Sequence, residues 1–116
     1  MNKIQVILIT TILFAASFIF PYIQKRIVPP TKAYTGRNHT IEIKQMTFSP
    51  ANIVVKKGDR IIFVNHDMVT HDITEAKKAW SSAPLLIGKS WSMTVTQTAA
   101  YYCSIHPVMK GKIIVK

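Results

Sequence analysis

Three residues whose side chains can bind a soft metal lie within one short stretch, Cys103-Ser104-Ile105-His106-Pro107-Val108-Met109, at the spacing C-x-x-H-x-x-M. A fourth donor, His71, stands upstream in Asn65-His66-Asp67-Met68-Val69-Thr70-His71-Asp72. A thiolate, two imidazoles and a thioether form a donor set that serves copper in both oxidation states. Imidazole suits Cu(II), and the two sulfurs suit Cu(I). Two imidazoles and one thiolate in a trigonal plane, with a long axial thioether, define the type 1 or blue copper arrangement. Cys103 is the single cysteine of the chain, which excludes an intrachain disulfide framework and a Cys-rich zinc module. Taken one at a time these residues have ordinary explanations, since a buried cysteine is usually a small hydrophobe and a methionine core filler. Three soft donors so close together make that explanation weak. His71 gains its weight from the downstream loop, whereas His39 and His66 have no partner at metal-binding spacing and read as surface histidines.

Such a loop needs rigid elements on both sides. From Thr40 onward the pattern is β-rich. Ile41 and Ile43 alternate with Glu42 and Lys44, and Met46 and Phe48 resume the alternation out of phase, as a bulge would require. Ile53 and Val55 alternate with Val54 and Lys56, and Lys57-Gly58-Asp59 is a turn signal. Arg60 to Asn65 reads as a central strand that ends where the His71 segment begins. Trp91, Met93 and Val95 alternate with Ser92, Thr94 and Thr96. Ala99 to Cys103 and Lys112 to Val115 supply strands before and after the ligand loop. Only Thr74 to Ser81 reads as a short helix. Six or seven short strands with turn signals predict a small antiparallel sandwich.

The N-terminal part is different. Ile4 to Ile23 carries no charge, and about 20 helical residues suffice to cross a hydrocarbon core of roughly 30 Å. Residues 1–26 therefore read as a membrane anchor formed by one hydrophobic helix. The competing reading is a cleaved signal peptide, with Ala15-Ala16-Ser17 as the best small-residue site. Residues 27–39, with Pro29-Pro30, form an extended linker, and residues 40–116 form the folded domain. Either N-terminal reading places that domain outside the cytoplasm, in the periplasm or its equivalent. Fifteen Lys and Arg against five Asp and Glu give a formal net charge of +10. No aromatic-and-basic motif of the nucleic-acid-binding kinds accompanies that charge. It is better suited to an anionic membrane surface or an acidic protein partner. With 48% hydrophobic residues, the chain is not disordered.

Taken together, the motifs resemble those of the cupredoxins, small blue copper proteins, and among them the amicyanins and plastocyanins. The resemblance runs from about Thr40 to Lys116. It rests on Met46-Thr47-Phe48-Ser49-Pro50, Val54-Val55-Lys56-Lys57-Gly58-Asp59, Phe63-Val64-Asn65, the Asn65 to His71 interval, and Cys103 to Met109 followed by Lys110-Gly111-Lys112-Ile113-Ile114-Val115. The two-residue gap between His106 and Met109 is amicyanin-like and shorter than in plastocyanins. The resemblance implies an eight-stranded Greek-key β-sandwich and one type 1 copper ion held by His71, Cys103, His106 and Met109. It also implies that Cys103 is the thiolate ligand, His71 the buried equatorial ligand, His106 the port for electron exchange and Met109 the weak axial donor. Two residues depart from the family pattern: Asp72 stands where these relatives carry Asn, and Ile105 where they carry Pro.

The function this implies is one-electron transfer between redox proteins of the cell envelope by a monomeric, non-enzymatic carrier. Met68, Val69, Pro84, Leu85, Leu86, Pro107 and Val108 are candidates for an apolar docking patch around His106, and the charge balance favours redox partners with an acidic docking surface. The alternative is an extracytoplasmic copper carrier or buffer that uses the same ligands without electron transfer. A thiol enzyme built on Cys103 and a histidine has no need of a second histidine and a methionine at these intervals. A multicopper enzyme needs more than the four histidines present.

Overall fold

The computed structural model describes residues 33–116. The predicted N-terminal helix over 4–23 and most of the predicted linker lie outside them. None of the described residues forms a helix long and apolar enough to cross a membrane. The compact unit runs from Ala33 to Lys116, so it takes in the last residues of the segment that composition assigns to the linker.

The domain is all-β. Its eight strands are β1 (Asn38–Lys44), β2 (Thr47–Ser49), β3 (Asn52–Val55), β4 (Arg60–Asn65), β5 (Thr74–Glu75), β6 (Ser90–Thr94), β7 (Ala99–Tyr102) and β8 (Lys110–Val115). They form two four-stranded sheets with orders β2-β1-β4-β6 and β3-β8-β7-β5. The alternation read from the sequence holds within strands. Ile41 and Ile43 on β1 and Ile61, Phe63 and Asn65 on β4 all point inward. Phe63 and Phe48 of one sheet meet Tyr101 of the other edge-on, at centroid distances of 5.3 and 4.9 Å. These aromatic contacts, with Ile41, Ile43, Ile73, Val95 and Ile113, fill the space between the sheets.

Three local expectations are corrected. The sandwich is mixed rather than antiparallel, because β1 runs parallel to β4 and β3 parallel to β8. No bulge separates Ile43 from Phe48. Lys44 pairs with Thr47 around a two-residue turn, and Gln45 and Met46 take the positive φ angles (51° and 60°) that such a tight hairpin demands. The stretch from Thr74 to Ser81 is not a helix. Thr74 pairs with Tyr102, and the Glu75 carboxylate accepts the N–H groups of Lys77 (2.7 Å) and Ala79 (3.0 Å), closing a tight turn. Trp80 then packs on Trp91, with ring centroids 5.8 Å apart.

The topology gives the sandwich two distinct ends. β4 and β7 run toward one end, where β8 begins, and β1 starts at the other, with Asn38 opposite Arg60. All four predicted donors belong to segments at the first end.

Candidate metal centre

His71 follows β4 after a loop that Asn65 organises. The buried Asn65 amide donates to the carbonyls of Val69 (3.0 Å) and Leu85 (2.8 Å), and its oxygen accepts the Asp67 N–H at 2.9 Å. The His71 backbone exchanges two hydrogen bonds with Leu85, at 3.2 and 2.7 Å. The ring is fully buried. Its Nε2 lies 2.9 Å from the Asp67 carboxylate, and its Nδ1 lies 3.7 Å from the Cys103 sulfur. An ionised carboxylate only accepts, so Nε2 carries the proton and Nδ1 turns its lone pair toward the thiol. Burial pushes the Asp67 carboxyl up, but the hydrogen bonds from the Met46 N–H, the His71 ring and the Gln45 N–H outweigh it and hold the group below its usual value.

Cys103, at the end of β7, is also fully buried. Its N–H bonds to the Met109 carbonyl at 3.1 Å, and the Met109 N–H bonds to the His106 carbonyl at 3.0 Å, so the ligand loop is closed at its base. His106 is half-buried, with Nδ1 4.0 Å from the Cys103 sulfur and its ring 5.0 Å from that of His71. The possible ligand atoms of His71, Cys103 and His106 all lie within 4.8 Å of one another. Bonds of about 2.0–2.3 Å to one metal, spread at about 120° in a plane, would set a nitrogen and a sulfur about 3.7 Å apart. The donor set and its spacing therefore fit a single trigonally bound ion. The Met109 side chain is buried, and its backbone ties the loop beside the other three donors.

Asp72 tests the first departure from the family pattern. Its buried carboxylate accepts the Ser104 N–H at 2.6 Å, the Ser104 hydroxyl and the Thr74 hydroxyl at 3.3 Å. All three partners donate, so a pure acceptor links the His71 segment to the Cys103 loop without an amide. The Asp72 N–H points at the Cys103 sulfur from 3.4 Å, a contact suited to a thiolate. At the second departure, Ile105 is exposed within the loop. Asp67, Ser104 and Asn65 support the site through contacts that the sequence does not announce. The placement of Asp67 four residues before His71 was the one available signal. The predicted apolar patch is present at this end with one exception. Met68, Val69, Leu86 and Val108 are exposed, whereas Leu85 is buried as the backbone partner of His71.

Residues 6–115 match the cupredoxin-like domain family, so this chain belongs to the cupredoxins. Within them it is amicyanin-like. It is 26% identical over 83 residues to amicyanin of Paracoccus denitrificans, a match covering 66% of this chain and 63% of that protein. The chain thus spans somewhat under two thirds of the length of the curated relatives it matches. A solved Cu(I) mutant of amicyanin superposes with a TM-score of 0.65 at 23% identity, covering 68% of this chain and 82% of that one. The copper-containing nitrite reductase of Thermus scotoductus also shares the fold, with a TM-score of 0.65 at 26% identity. That match covers 78% of this chain but 25% of the reductase. Family and donor set together are consistent with one type 1 copper ion as the cofactor.

Proposed function

We propose that this chain is a one-electron carrier of the cell envelope, with copper held by His71, Cys103 and His106 and weakly by Met109. The observation that carries the reading is the convergence of a buried thiol and two imidazoles from separate segments. When bound, the ion supplies a Cu(II)/Cu(I) couple. The chain supplies a cage that hardly moves. Asp67 fixes the His71 tautomer, the Asp72 N–H favours the Cys103 thiolate, and the β7–β8 backbone bonds hold the loop in one shape for both oxidation states. His106, the half-buried donor, brings its ring edge nearest to solvent and is the exchange port.

Partners dock on the apolar surface at this end. Met68 and Val108 are 90% and 86% exposed, beside Val69, Leu86 and Ile105. A small, partly apolar patch suits a transient redox encounter. Such a carrier is not an enzyme, and it works as a monomer tethered by residues 4–23 on the outer side of the cytoplasmic membrane. The electron self-exchange rate, read from NMR line broadening in mixtures of reduced and oxidised protein, separates this reading from a copper buffer. Rapid exchange supports the carrier. Exchange too slow to broaden any line supports the buffer.

A further inference from the structure

The positive charge of the domain is concentrated away from the metal centre. Arg37, Lys56, Lys57, Arg60 and Lys116 are all exposed and lie at the opposite end of the sandwich. Backbone bonds knit them together: the Arg60 N–H bonds to the Arg37 carbonyl at 2.8 Å, and the Lys116 N–H to the Val55 carbonyl at 2.9 Å. Arg60 also stacks over Tyr34, 4.8 Å from the ring centroid. Asp59 is the one acid among them, and it is turned inward. Its carboxylate accepts the N–H groups of Arg37 and Lys56 and lies 2.8 Å from His39. A hollow of about 270 Å³ opens there between Arg37, Lys56 and Lys116, and a second of about 240 Å³ between Arg37, Lys56 and Lys57, with Asp59 in the lining of both. Around the metal centre, Lys44, Lys89 and Lys110 stand against Glu42, Asp67 and Asp72, so that end is balanced.

The two ends are about 20 Å apart along six- or seven-residue strands, roughly two Debye lengths at physiological salt. The basic end therefore contributes little field at His106, and steering of a redox partner does not account for it. The same end is where the chain arrives from its N-terminal part. Arg37, the last residue before β1, follows the apolar stretch that ends at Ile23. The intervening residues reach at most about 50 Å when extended, more than the roughly 25–30 Å width expected for a domain of this size. Such a tether confines the domain near a bilayer without choosing which end faces it. The charge makes that choice.

We propose that the Arg37–Lys56–Lys57–Arg60–Lys116 end is a docking surface for anionic lipid headgroups, which turns the domain so that His106 faces away from the membrane. Basic groups within a Debye length of an anionic bilayer are attracted to its phosphates, and the five exposed cations of this end outnumber its one acid, Asp59. The apolar docking patch is then left open to soluble or laterally diffusing partners. The proposal rests on the tether proposed above.

The test is lysine footprinting of the full chain reconstituted in vesicles, with a water-soluble amine-reactive reagent and mass-spectrometric readout. On vesicles carrying anionic lipid, Lys56, Lys57 and Lys116 should react on the order of fivefold more slowly than on purely zwitterionic vesicles, and high salt should restore their rates. Lys44, Lys89 and Lys110 should react equally on both. The double variant Arg37→Gln/Arg60→Gln should lose much of the protection while leaving those three rates unchanged, which also reports that it is folded. Equal rates on the two lipids, or protection of Lys44, Lys89 and Lys110 instead, would overturn the proposal. Carbonate extraction of the same vesicles tests the tether separately. A chain released by carbonate yet footprinted at its basic end keeps the lipid surface and loses the anchor.

Discussion

His71 can offer a lone pair to a metal only if its other nitrogen holds the proton, and Asp67 is the residue that secures this. The same carboxylate accepts the N–H groups of Gln45 and Met46 at 2.7 and 3.0 Å, so the β1–β2 turn and the buried imidazole share one anchor. Asp67→Ala should therefore lower copper affinity about 10–100-fold, the usual cost of removing a ligand's supporting partner. Competition against a chelator of known affinity measures this, and an unchanged affinity would deny Asp67 that role. Asp72 carries the complementary lesson. An acid in place of the family's amide is no defect here, because the Ser104 N–H, the Ser104 hydroxyl and the Thr74 hydroxyl are all donors.

At the scale of the element, β7 and β8 are the rails of the ligand loop, and their fit depends on one small residue. Gly111 lies directly opposite Tyr101, and a Cβ there would run into the buried phenol ring. Gly111→Ala should cost about 1–3 kcal/mol through forced repacking. Urea unfolding checks it, and a loss near zero would show that the ring can yield. Burial also pushes the Tyr101 phenol well above its ordinary pKa. This scale also shows what the sequence could reveal. The C-x-x-H-x-x-M loop was legible because its donors are local and its flanking strands alternate cleanly. The β1–β2 turn was not, since Gln45 and Met46 carry no glycine to announce positive φ. Leu85 and Leu86 look alike in the chain. The bridge between His71 and Leu85, a contact between distant segments, buries one and exposes the other. Asp67 was hidden for the same reason, because part of its task is set by a turn far away in the sequence.

For the whole molecule, the two ends have different chemistry and respond to different conditions. At the basic end, the Arg37 N–H, then the His39 ring, then the Lys56 N–H hold the Asp59 carboxyl down to about 2, from an ordinary 3.8. Because the folded-state pKa is depressed, this contribution to stability is full above about pH 4 and is lost as pH falls toward 2. Asp59→Asn should thus be less stable than the natural chain near neutrality. The gap, followed by denaturant unfolding at several pH values, should close between about pH 4 and pH 2. A gap independent of pH would show that the charge is immaterial. At the metal end the fold exists to hold a thiol and two imidazoles still. The most direct test is titration of the purified chain with Cu(II) while recording its visible spectrum. An intense blue thiolate-to-copper band that saturates at one equivalent, and is absent in Cys103→Ala, is the predicted result. A colourless one-to-one complex, or a blue band that survives Cys103→Ala, would contradict it.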